Sequence, residues 1–198
     1  MKNLRFLLAL VLMTSAATAQ SDKFHFPDAF YFVKEINVES LRERPFHFEI
    51  SVKENPSDTF SRPRIYAIQV RKGKEDIIGK TLTYAEASGG DWKKYTIDGI
   101  VDNEATRIWL YVAVNGNGEF YFDNLQYSVA DNNGTLMEKD LSNASFEDRK
   151  LLSGYFMSRK PAENLRISLS PVATEGKQSV LVVSSNQKPG IAAGVARN

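Results

Sequence analysis

Gly118-Glu119-Phe120-Tyr121-Phe122-Asp123-Asn124-Leu125-Gln126-Tyr127 is the stretch whose reading decides the fold. Phe120 and Phe122 lie two apart and share one face of an extended strand, whereas Leu125 and Tyr127 share the opposite parity. All four reach one core only if the strand absorbs an extra residue near Asp123-Asn124, which is the signature of a β-bulge. A polar Asp-Asn pair inside an aromatic strand is costly to bury, so something must hydrogen-bond it.

Strand patterns surround this stretch. Phe46, Phe48, Ile50 and Val52 alternate with His47, Glu49, Ser51 and Lys53, a period of two with one buried face. Residues 64–71, 92–97 and 107–114 read as further strands, and Asn115-Gly116-Asn117-Gly118 predicts a hairpin from 107–114 into 119–129. Asp131-Asn132-Asn133-Gly134 is a turn-rich connector. Beyond it, Ser145-Phe146 predicts a short strand, Leu165, Ile167 and Leu169 alternate, Glu175-Gly176-Lys177 marks a turn, and 179–184 is an apolar strand. No segment offers an amphipathic helix. Short strands punctuated by Gly, Asn and Pro predict an all-β, antiparallel sandwich.

The first nineteen residues read as a signal peptide. Lys2 and Arg5 form its positive region, Leu4 to Met13 its short apolar region, and Ala17-Thr18-Ala19 its cleavage site. The expected mature chain, 20–198, is periplasmic or extracellular and contains no second long apolar run. Without cysteine it has no disulfide, thiolate metal site or lipoprotein anchor. With Lys2 and Arg5 removed, the formal net charge of +1 becomes −1, and no basic stripe of the kind nucleic acid requires is present. Arg62, Arg64, Arg71, Lys72 and Lys74 cluster locally, as on a solvated strand and hairpin.

Two stretches together resemble the jelly-roll, galactose-binding-like carbohydrate-binding modules of secreted bacterial hydrolases. Asn143-Ala144-Ser145-Phe146-Glu147 followed by 175–182 is similar to that family's opening half. Residues 46–53, then Asp91-Trp92-Lys93-Lys94-Tyr95, then 118–125 are similar to its closing half. A similar module precedes the catalytic domain in some secreted serine peptidases. Here the closing half comes first. The expectation is a single jelly-roll sandwich over 20–198, circularly permuted from halves 24–130 and 141–198, with a truncated tandem as the alternative. The stretches beginning at Pro27 and Pro189 would occupy the same point of the repeat.

The resemblance also implies a structural calcium ion, held by Asp123 of the last strand and Glu147 of the Phe-Glu motif. Calcium requires several converging oxygens. The competing reading makes both carboxylates acceptors of backbone hydrogen bonds at strand ends. Asn143 and Asn124 read as turn residues. Trp109 and Tyr111 lie on the parity opposite Ile108, Leu110, Val112 and Val114. One face of that strand is therefore core, and the other is either a stacking platform for sugar rings or covered by another layer. Tyr66, Gln69, Arg71, His47 and Glu49 are the polar candidates beside the platform. Trp92 matches the family's strand-opening tryptophan and is expected to be packed.

No G-x-S-x-G, H-E-x-x-H or phosphate loop is present, and His25 and His47 stand apart. The expected function is non-catalytic recognition of a glycan or cell-envelope polysaccharide. The alternatives are a periplasmic structural or protein-interaction sandwich, or the truncated accessory domain of a secreted peptidase or glycosidase.

Overall fold

The computed structural model describes residues 30–71, 77–83, 91–158 and 164–185. The expected leader, His25, Lys72, Lys74, the first three residues of the stretch beginning at Pro27 and all of the one beginning at Pro189 lie outside them. Eleven strands are described: β1 (Phe30–Asn37), β2 (Pro45–Pro56), β3 (Arg62–Arg71), β4 (Ile77–Thr83), β5 (Trp92–Ile100), β6 (Ala105–Asn115), β7 (Gly118–Ala130), β8 (Leu136–Glu138), β9 (Phe156–Met157), β10 (Leu165–Ser170) and β11 (Ser179–Ser184). They form two antiparallel sheets, ordered β4-β3-β6-β1-β9 and β10-β11-β7-β2-β5, with β8 added to β7. The chain is an all-β sandwich, and among the described residues no helix is long and apolar enough to cross a membrane.

The core lies between the sheets and follows the alternation. Phe46, Phe48, Ile50 and Val52 of β2 meet Ile108, Leu110, Val112 and Val114 of β6 in one apolar cluster. Val180 and Val182 of β11 join the same cluster. Each such side chain contributes roughly 1.5–3 kcal/mol through the apolar surface it removes from water.

The bulge in β7 is present. Glu49 pairs with Gln126 and Ser51 with Asp123, so Asn124 and Leu125 stand opposite Ile50 alone. Asn124 takes the extra turn at φ 46°, a left-handed conformation that asparagine tolerates better than most residues. Phe120, Phe122, Leu125 and Tyr127 consequently all reach the core.

Two expectations are corrected. Residues 115–118 do not close a hairpin, because β6 and β7 belong to different sheets. Gly116, at φ 94°, sits so close to Ser61 that a Cβ would lie 2.2 Å from its hydroxyl, and the same hydroxyl accepts the Asn117 N–H at 2.7 Å. The turn is drawn against β3 and steps across the sandwich.

Ser145-Phe146 is not a strand either. The edge of β7 away from β2 is already taken by β11 along 118–122 and by β8 along 128–130. In the gap the Leu125 N–H finds the Ala144 carbonyl at 3.0 Å. Residues 139–155 therefore cross the open side of the sandwich as successive turns, with Asn143, Phe146 and Leu152 at positive φ. Phe146 drops between Phe32 and Tyr155, with ring centroids 6.1 and 5.2 Å away. Buried Lys34 of β1 anchors the segment: its Nζ donates to the Ser142 carbonyl at 2.5 Å and to the Ser142 Oγ at 2.9 Å.

Candidate functional site

Register places the outward side chains of the second sheet in rows. Trp92 of β5 stands opposite Lys53 of β2, which stands opposite Tyr121 of β7. The next row is Lys94, Ser51 and Asp123. Trp92 and Tyr121 meet with centroids 6.4 Å apart and planes at 66°. Beside them opens a cleft of about 200 Å³, lined by Trp92, Lys93, Lys94, Ser51, Asn124, Gln126, Thr174 and Glu175. Trp92, expected to be packed, is half-buried on the outer face and packs against Tyr121. The alternation carried this signal. Tyr95 and Ile97 are core, so Trp92, Lys94, Thr96 and Asp98 must face outward.

The cleft has a fixed polar lining. Lys94 Nζ is 2.7 Å from Glu49 Oε1, and this bond and charge raise the ammonium's pKa. Gln126 Nε2 donates to Asn124 Oδ1 at 3.3 Å. The bulge turns Asn124 into the cleft while its neighbour Asp123 is fully buried.

Asp123 and Glu147 act on one loop, the residues before β11. Asp123 Oδ2 accepts from the Thr174 N–H at 2.7 Å, the Thr174 hydroxyl at 2.9 Å and the Glu175 N–H at 3.2 Å. Its Oδ1 accepts from the Asn124 N–H at 2.8 Å. Glu147 Oε1 accepts from the Lys177 N–H at 2.7 Å and the Gln178 N–H at 3.1 Å. Gly176, at φ 69°, leaves room for that carboxylate, which a Cβ would meet at 2.3 Å. Here both carboxylates accept backbone hydrogens, the arrangement that competes with a calcium shared by Asp123 and Glu147. The donor set fits the clamp. Among the described residues no three His, Cys, Asp or Glu side chains group as metal ligands.

The expected platform lies on the outer face of the other sheet. Tyr66 of β3 is directly opposite Tyr111 of β6, with centroids 5.6 Å apart, and Trp109 is opposite Ile68. With Val33, Val70 and Ala113 they form a second apolar cluster. Tyr111 is 0% exposed and Tyr66 6%, so neither ring offers an open face for stacking. This corrects the platform: the covered alternative describes Tyr111, and burial drives its phenol pKa far up. Trp109 Nε1 donates to Glu35 Oε2 at 2.9 Å, and Arg71 pairs with Glu104 at 2.8 Å. Gln69 is occupied by backbone, accepting from the Asp102 N–H and donating to the Ile100 carbonyl. His47 and Glu49 are on β2, in the opposite sheet, and do not reach this face. Comparison with protein-family models, curated proteins and solved structures yields no match.

Proposed function

We propose that the protein is an exported, non-catalytic module of jelly-roll type that binds a glycan in the cleft beside Trp92. The carrying observation is the half-buried Trp92 next to Tyr121 at the rim of a cleft lined by Ser51, Asn124, Gln126 and Thr174. Sugar rings present C–H faces to aromatic rings and hydroxyls to mixed donors and acceptors, and hydroxyl and amide groups supply both roles. A cleft of about 200 Å³ is smaller than a site for a drug-sized molecule and suits one sugar ring of a chain.

A glycan-array screen of the purified protein, followed by titration calorimetry on the best ligand, tests this. Trp92→Ala is expected to weaken binding roughly fivefold, corresponding to about 1 kcal/mol, with little change in stability. Tyr111→Ala is expected to cost about 3–5 kcal/mol of stability, as loss of a buried ring does. Binding unchanged in Trp92→Ala, or no glycan bound by the parent, would exclude the reading. Protein recognition is the second reading, supported by exposed Phe156 and Met157 on edge strand β9.

A further inference from the structure

β2 continues its inward parity beyond Val52, and the next inward residue is Glu54. Its side chain is only 1% exposed. Tyr95 of β5 donates its hydroxyl hydrogen to Glu54 Oε1, while among the described residues Glu54 Oε2 has no hydrogen-bond partner. The groups acting on this carboxyl come from two strands. β5 contributes Tyr95 and Lys93, and β3 contributes Arg62. β7 turns Phe120 and Phe122 toward the interior here, while its Glu119, opposite Asn55, lies on the outward parity.

Position gives this contact a consequence. Lys53–Trp92 is the last pair of the β2–β5 ladder, and Glu54 lies one residue beyond it. Among the described residues β5 is an edge strand whose one ladder is with β2, its far end being tied to β3 by the Gln69–Ile100 hydrogen bond. The Glu54–Tyr95 bond therefore fastens the end of β5 from inside, beneath the outward side chains of Trp92 and Lys94.

We propose that Glu54 and Tyr95 form a proton-dependent staple that holds the Trp92 end of β5 against β2. With Glu54 protonated, the buried carboxyl is neutral and the ladder end is closed. Once ionised, the carboxylate is buried with one hydrogen bond, and freeing the 92–94 end of β5 lets water reach it. Burial raises the carboxyl pKa to about 7, against the opposing effects of Lys93 and Arg62, so the change falls near neutrality. If the cleft binds glycan as proposed above, the staple also sets its pH dependence, with tighter binding on the acidic side.

Amide hydrogen exchange on the full chain, at about pH 5.5 and about pH 8.5 with intrinsic rates corrected, tests the staple. Residues 92–95 should lose protection at least several-fold on the alkaline side, and Glu54→Gln should hold them protected at both. Tyr95→Phe should lower protection at the acidic pH, where the parent is closed. Trp92 emission in a Trp109→Phe background should follow the same transition. Equal corrected protection of 92–95 at both pH values, or an undiminished pH response in Glu54→Gln, would overturn the proposal. Glycan titration at the two pH values is a separate arm. Absence of binding there refutes the glycan reading, while exchange alone decides the staple.

Discussion

Asp123 of β7 and Thr174 before β11 are joined twice over, the backbone N–H and the hydroxyl of Thr174 both donating to one carboxylate oxygen. The pair ties the wall of the cleft to the bulge. Hydrogen bonds to an ionised acceptor contribute about 1.5–3 kcal/mol each, and losing a buried acceptor strands its donors. Asp123→Ala should lower unfolding free energy by about 3 kcal/mol in urea titrations, whereas Glu147→Gln, nearer solvent, should cost about 1 kcal/mol.

The same clamp predicts the response to metal removal. A ligand bound only by the native state raises its stability by mass action. Because Asp123 and Glu147 are occupied by N–H donors, calorimetric melting should give the same midpoint with calcium, with chelator, and after calcium is restored. A chelator-sensitive midpoint abolished by Glu147→Gln would show that the loop rearranges around an ion.

Glu54 makes stability fall as pH rises. Its pKa rises from 4.5 in the unfolded chain to about 7 in the fold, so the native state holds the proton more tightly. Its stabilising contribution is complete below about pH 4.5, is lost as pH rises toward 7, and amounts to at most about 3 kcal/mol. Urea titrations across this range should show that decline, and Glu54→Gln should remove it.

Lys34 predicts local rather than global failure. Burial lowers its pKa, partly opposed by Asp148, yet its ammonium donates to Ser142 and caps the Tyr155 ring at 4.5 Å. Lys34→Met leaves the Ser142 carbonyl without that donor, at a cost of about 1–3 kcal/mol. Limited proteolysis should then cut within residues 139–155 well before the strands.

The strands around the core were readable from their apolar content: 46–53 alternates apolar with polar, while 107–114 and 179–184 are apolar runs bounded by polar residues. The bulge was readable as a parity conflict between Phe122 and Leu125. The partition of β6 and β7 into different sheets was not, since Asn-Gly chemistry specifies a reversal of direction and not whether the strands stay paired. Within 139–155 Asn143 was readable as a turn residue, but the turns at Phe146 and Leu152 gave no signal because both adopt positive φ without being glycine. Trp109 and Tyr111 were placed on the correct face, but parity does not say what lies over a face. The cleft was missed because its parts come from four distant stretches, around Ser51, Trp92, Asn124 and Thr174, which only register brings together.

The position of β11 beside β7 makes synthesis the fragile moment. At ~5–20 residues per second, on the order of 3–12 s separate completion of 118–122 from arrival of Ser184. During that interval one edge of β7 offers unpaired N–H and C=O groups next to Phe120 and Phe122, a template for a strand from any neighbouring chain. A ribosome pausing between these segments lengthens the exposure, so codon choice there sets how long the edge stays open with no change in the amino-acid sequence.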